Sequence, residues 1–352
     1  MSISEKLLLF YQQHMRALPW RLSTDPYKVW LSEIILQQTR VDQGLSYYQR
    51  FVKQFPTVFQ LARASEDQVL KLWQGLGYYS RARNLHHTAK TIANEYNGVF
   101  PSNYKHVLKL KGIGPYTAAA ILSLSFNQPY AVVDGNVYRV LARLFNIDIP
   151  IDSTQGKKFF EELANKHIDA GNPGMYNQAI MEFGALYCVP LKPNCEACIF
   201  NDDCGALNAG RVSMLPVKEK KVKVRTRYFN YYVIKAGDKF IVQKRDNADI
   251  WKGLYEFPLF ETESALSDAS AFTAKILGNI KGEVVLDRIQ EGKTHKLSHQ
   301  KIFAKFILLQ LEKANFIAID GAKAVTYDEL LDLPVPKLID VFINENKRWF
   351  LS

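Results

Sequence analysis

Cysteine is scarce and confined: four residues in a chain of 352, all between Cys188 and Cys204. So local a set cannot staple a secreted fold, and a reducing cytoplasm is the expected compartment. Long apolar runs are missing as well. No stretch of about 18 apolar residues occurs, and Met1 to Trp20 interleaves Glu5, Gln12, His14 and Arg16 with its hydrophobic positions. That opening reads as an amphipathic helix, not as a signal peptide or a membrane span. Internal repeats and low-complexity tracts are absent, which removes solenoids and disordered arrays. Acidic residues are the minority, 35 against 45 Lys and Arg, for a formal charge of +10. Basic surface gains counterion-release energy on a polyanion, so nucleic acid is the favoured partner and a merely basic soluble protein the alternative.

What is present divides in two. From Ser4 to about Leu186, apolar residues recur at helical spacings with caps and breakers between them. Asp25-Pro26 opens one helix, and Ser102 after Pro101 another. The stretch Arg211 to Arg227, with Lys218, Lys220, Lys221, Lys223 and Arg225 around Pro216, reads as an exposed linker. Beyond it, Phe229, Tyr231 and Val233 alternate with their neighbours, 236–239 turns the chain, and Phe240 to Lys244 returns. Strand-like runs at Val284 to Ile289 and Ile302 to Leu311 follow, with helical stretches near Ser264 to Leu277 and Val335 to Asn346. A helical domain over 1–210, a basic linker over 211–227 and an α+β domain over 228–352 are expected.

Four constellations carry chemistry. Leu110-Lys111-Gly112-Ile113-Gly114-Pro115-Tyr116-Thr117 is a Gly-rich hairpin between two helices. Its glycines permit positive φ and close approach to a phosphate, and the second helix's N-terminus favours an anion; a plain helical corner uses the same residues. Val132-Val133-Asp134-Gly135-Asn136-Val137 ends an apolar run and opens a helix, where Asp134 is either a cap or a catalyst. Glu33 sits in the apolar Trp30–Leu36 stretch. A solvated helix position is the ordinary reading there, whereas burial would raise its pKa and make it a proton donor near neutral pH. The cysteines, spaced by six, two and five residues, match four thiolates around a [4Fe-4S] cluster or zinc.

Taken together, these motifs resemble the adenine-specific mismatch glycosylases (the MutY family) of the helix-hairpin-helix superfamily. The resemblance implies a mostly α N-terminal helix-hairpin-helix glycosylase fold with an iron-sulfur cluster loop, followed by a C-terminal α+β Nudix-like domain. It places Lys111, Gly112 and Gly114 on the DNA backbone and a [4Fe-4S] cluster on Cys188, Cys195, Cys198 and Cys204. Glu33 would protonate adenine, and Asp134, oriented by Tyr116 and Asn136, would stabilise the charge at the sugar. Tyr116 stands where strand-cleaving relatives carry a Schiff-base lysine, so base removal without efficient scission follows.

By the same resemblance Tyr78, in Trp73-Gln74-Gly75-Leu76-Gly77-Tyr78-Tyr79, lies beside the damaged base, with Gln38 as a second wedge. Trp20, Arg21 and Gln178 would line the adenine pocket. Val242-Gln243-Lys244-Arg245 and Trp251 to Pro258 resemble the opening of the Nudix fold, but Ser264 to Gly278 lacks its Glu-rich box, so a binding domain is implied. Ser298 and His299 would read 8-oxoguanine, and Leu297 replaces an aromatic residue the family often has. The implied activity is hydrolysis of the N-glycosidic bond of adenine opposite 8-oxoguanine or guanine in double-stranded DNA, by a monomer. A glycosylase/lyase for oxidised pyrimidines, a non-catalytic mismatch sensor and a nucleotide hydrolase are the rivals.

Overall fold

In the computed structural model, residues 1–219, 223–246, 249–266, 284–311 and 321–352 are described. They fall into two compact units, residues 1–63 with 84–221, and residues 64–83 with 222–352.

Among the described residues the first unit is helical, and its helix starts follow from local chemistry. Ser2 caps α1 (Ile3–His14) in a reciprocal capping box with Glu5. Asp25 caps α2 (Pro26–Leu36) through the Tyr27 N–H, with Pro26 at the first position, as the sequence predicts. After α3 (Val41–Gln54) and α4 (Val58–Arg63), the helix α5 (Glu66–Trp73) belongs to the second unit. The helix expected to open at Ser102 starts one turn position later: Asn103 caps α7 (Tyr104–Lys109), which follows α6 (Ser80–Glu95), because its amide oxygen accepts from Lys105 and His106. The predicted hairpin then leads into α8 (Pro115–Phe126), buried from Thr117 to Ser123 and so central in the unit. Helices α9 (Gly135–Leu144), α10 (Thr154–His167), α11 (Pro173–Leu186) and the short α12 (Gly205–Asn208) complete it. Phe10, Leu141, Phe160, Tyr176 and Phe183 form its core, each contributing roughly 1.5–3 kcal/mol on burial.

The beginning of the expected linker is packed instead of exposed. Leu215 is buried, its carbonyl accepts from Arg143, and the Val217 carbonyl accepts from Ile151. Strand β1 (Arg225–Ala236) starts two residues inside the same stretch. It pairs antiparallel with β2 (Lys239–Lys244) across the predicted turn, and in parallel over its whole length with β7 (Gln300–Leu311). Among the described residues the sheet has eight strands, and its path runs β3 (Tyr255–Glu256), β2, β1, β7, β5 (Val284–Glu291). Off this path, β4 (Leu259–Thr262) pairs with β1, β6 (His295–Lys296) with β7, and β8 (Ala322–Thr326) with β2.

The alternation expected at 229–233 is not seen, since every residue from Phe229 to Ile234 is buried. Both faces of the strand are covered: Tyr232, Ile234, Ile307 and Leu309 share one cluster, while Tyr231, Phe306 and Phe342 of the Lys337–Glu345 helix stack in series. Beyond Leu266, the helical stretch expected at Ser264 to Leu277, and with it the position of a Glu-rich box, lies outside the described residues. Among those residues no helix is long and apolar enough to cross a membrane.

Candidate active site, cysteine loop and second-unit cavity

A cavity of about 200 Å³ in the first unit gathers Glu33 of α2, Tyr116 of α8, Asp134 and Asn136 at the start of α9, and Gln178 and Glu182 of α11. Trp20 and Arg21, in the 3₁₀ turn Pro19–Arg21, complete its wall. Seven of the expected catalytic or pocket-lining residues, Glu33, Asp134, Tyr116, Asn136, Trp20, Arg21 and Gln178, thus share one cavity. Gln38 is not among its lining residues; it is exposed, at φ 54°, just past the end of α2.

Glu33 is 8% exposed because the apolar positions around it put α2 deep in the unit. Burial pushes its carboxyl up to about 7, opposed by the hydrogen bond from Tyr116 and reinforced by Asp134. The Tyr116 hydroxyl donates to Glu33 Oε2 at 2.7 Å, whereas the resemblance assigns it to orienting Asp134. The reason is reach: Pro115 starts α8, so Tyr116 projects from its first turn towards α2. Asp134 caps α9, its Oδ1 accepting from the Asn136 and Val137 N–H groups at 2.8 Å each. Its Oδ2 accepts from Asn136 Nδ2 at 3.0 Å, so Asn136 does hold this carboxylate. Burial pushes Asp134 up, while those N–H donors pull it down.

Trp20 packs edge-on against Tyr48. Gln178 accepts a hydrogen bond from the Tyr11 hydroxyl, which leaves its amide nitrogen as a donor. Arg21 does not stand alone. Both its terminal nitrogens donate to Glu182, at 3.0 and 2.7 Å, and Arg16 donates to the same carboxylate through its backbone N–H, Nε and Nη2. Burial raises Glu182, but these bonds prevail and hold it at about 2. Sequence reasoning missed Glu182 and Arg16; a lone carboxylate in Ala179-Ile180-Met181-Glu182-Phe183 was the available signal.

On the hairpin, Lys111, Gly112 and Gly114 are all exposed. Gly112 has φ +82°, and a Cβ there would lie 2.7 Å from that of Asn84, so both conformation and packing demand glycine. Its neighbour Lys111 is tied down through its carbonyl, which accepts from Thr88 at 2.8 Å, leaving the side chain outward.

Cys188, Cys195, Cys198 and Cys204 line one small cavity. Arg143 clamps it, donating to Cys188 Sγ at 3.5 Å and to the Val189 and Pro190 carbonyls, and the Phe200 N–H points at Cys198 Sγ at 3.4 Å. Four thiols with N–H donors aimed at sulfur are a donor set suited to an iron-sulfur cluster. Among the described residues no three His, Cys, Asp or Glu side chains are grouped to hold a single metal ion.

In the second unit a cavity of about 450 Å³ is lined by Gly75 to Ser80, Trp251 and the His295–Gln300 hairpin. Tyr78, Ser298 and His299 are all exposed there, and the Tyr78 and Ser298 hydroxyls are hydrogen-bonded to each other. Leu297 is half-buried, with its N–H bonded to the Gln300 carbonyl. Tyr78 takes φ 48°, while Trp73 and Tyr79 beside it are buried, so only Tyr78 of these aromatics projects. Nearby, the carboxylates Asp249, Glu256 and Glu261 are each engaged by the buried Arg227 or Arg245.

Comparison with known proteins agrees with this layout. The family described as "HhH-GPD superfamily base excision DNA repair protein" matches residues 31–166, and the NUDIX domain family matches 230–345. A solved thermostable thymine-DNA glycosylase is 30% identical, with a TM-score of 0.55, covering 58% of this chain and 95% of that one. The "Adenine DNA glycosylase" of Homo sapiens is 42% identical over 209 residues, 57% of this chain and 38% of that protein. That of Buchnera aphidicola (subsp. Baizongia pistaciae) is 34% identical over 347 residues, 94% of this chain and 95% of its relative. With both of the expected domains matched and that identity sustained along nearly the full length of two chains, this chain belongs to the adenine DNA glycosylase family, DNA repair enzymes that hydrolyse N-glycosyl bonds.

Proposed function

We propose that the chain removes adenine lying opposite 8-oxoguanine, and opposite guanine, in double-stranded DNA and leaves an abasic site. The observation that carries this reading is Glu33: a carboxyl pushed up to about 7 in a cavity it shares with Asp134. A flipped adenine enters that cavity, with Lys111, Gly112 and Gly114 against the phosphate backbone. Glu33 gives its proton to a ring nitrogen, so the C1′–N bond breaks with its electrons going to a neutral base. Asp134, held by Asn136, faces the positive charge that develops at C1′. Water adds there, returning a proton to Glu33. Trp20, Arg21 and Gln178 line the base pocket. Tyr116 offers a phenol where a lyase needs an amine, so the strand stays intact.

The cysteines Cys188, Cys195, Cys198 and Cys204 would hold a [4Fe-4S] cluster, whose contribution when bound is to keep the loop closed. Arg139, donating to the Cys188 and Gly184 carbonyls and to Asn136 Oδ1, ties α9 to the loop's start. The second unit reads the lesion. Ser298 and His299 supply hydrogen bonds to 8-oxoguanine and Tyr78 a ring beside it; in the first unit, Gln38 serves as a wedge in the duplex.

Single-turnover incubation with duplexes carrying adenine opposite 8-oxoguanine, beside thymine-glycol and undamaged controls, tests the reading. Free adenine and breaks only after alkali are expected; breaks at thymine glycol without alkali would transfer the chain to the lyases. Ser298→Ala is expected to weaken discrimination for 8-oxoguanine over guanine by about 1 kcal/mol, roughly fivefold, with adenine release from adenine:guanine unchanged. Equal losses on both mispairs would mean that Ser298 reads no lesion.

A further inference from the structure

Glu182 is a carboxylate for which the reaction has no evident use. It is 1% exposed, opens onto the same cavity as Glu33, and receives five hydrogen bonds from two arginines that lie more than 160 residues earlier in the chain. Both its oxygens are fully occupied, so it has no free electron pair directed at a base. Arg21 is oriented by these bonds, by the Arg16 carbonyl at 2.9 Å and by the Tyr11 ring beneath its guanidinium. Two cations and one anion thus form a wall with one net positive charge. We propose that Glu182 is a positioning residue for excision, which sets Arg16 and Arg21 as one rigid wall and cancels half of the positive field they cast on Glu33. The proposal rests on the reading of Glu33 as the acid.

The groups facing Glu33 are few. Tyr116 comes from α8, Asp134 from the start of α9, Arg21 from the 3₁₀ turn and Glu182 from α11. Arg16 lines the same cavity, with Asp42 of α3 in its field. Arg21 already favours the charged form of Glu33. Without Glu182 the wall would carry two uncompensated charges, and an acid that must be protonated to work would lose its proton at lower pH.

The test is the pH dependence of single-turnover adenine release. Wild type is expected to lose rate above about pH 7, the value to which Glu33 is pushed. In Glu182→Gln this limb should move down by about one pH unit, leaving a roughly tenfold lower rate at pH 8 and a smaller deficit at pH 6. Arg16→Gln removes one cation and should move the limb the other way, and the double variant should bring it back. Arg16→Gln keeps the test alive if Glu182→Gln does not fold. Equal rate losses at every pH, with both limbs unmoved, would make Glu182 a purely structural ion-pair partner and overturn the proposal. If instead Glu33→Gln retains wild-type rate, the reading of Glu33 fails, independently of Glu182.

Discussion

Glu33→Gln is expected to abolish adenine release, by about a thousandfold in single-turnover rate, while lesion-containing duplex is still bound. The amide occupies the carboxyl's volume and can still accept from the Tyr116 hydroxyl 2.7 Å away, but it has no proton to give. The same substitution should stabilise the protein at alkaline pH. Glu33 is raised to about 7 in the folded chain, from an ordinary 4.5. Its contribution is therefore fully present below about pH 4.5 and lost as pH rises through about 7, where burial opposes the carboxylate. Above pH 7 the variant should exceed wild type by up to about 3 kcal/mol, and below pH 4.5 the two should coincide. Thermal melts across that range measure it. Unreduced adenine release by the variant would remove Glu33 from the chemistry.

Asp134→Asn should cost about a hundred- to a thousandfold in rate and almost nothing in stability. Asp134 has two tasks that this change separates. As the cap of α9 it accepts from two backbone N–H groups at 2.8 Å, and asparagine caps as well as aspartate. As the proposed partner of a cationic sugar it must carry charge, which asparagine lacks. Asp134→Ala should lose the cap too, about 1 kcal/mol more. Wild-type turnover in the asparagine variant, with a lower Tm in the alanine variant, would leave Asp134 as a cap alone.

The parts legible in the sequence are those whose cause is local. A cap, a proline at a helix start and a glycine that needs positive φ announce themselves within a few residues, as at Asp25 and Gly112; Glu33 and Asp134 read locally as a solvated position and a cap, and only the resemblance singles them out. Asn103 displaced Ser102 as a cap because two adjacent small polar residues compete for one role, and the backbone path decides between them. Long-range pairing is what the sequence conceals. Tyr116 could reach either carboxylate by spacing; only the packing of α8 on α2 directs it to Glu33. Glu182 acquires its meaning from residues 16 and 21, and the two-sided burial of 229–234 comes from a helix a hundred residues later.

The second unit's claim on residues 64–83 has a practical corollary for anyone cutting the gene. Lys71 donates to the Leu331 and Leu333 carbonyls, Asp67 accepts from Lys244 and Tyr255, Gln74 receives the Val335 N–H, and Arg83 donates to the Lys252 carbonyl. A stop codon near residue 220 would thus not excise a module cleanly. It would strand α5 and the Tyr78 turn as an orphaned limb on the remaining protein, with their anchors deleted. Truncation data on such a chain would mix the loss of the proposed lesion reading with the collapse of that limb, and a graft of the second unit onto another scaffold must carry 64–83 along, as a separate insertion.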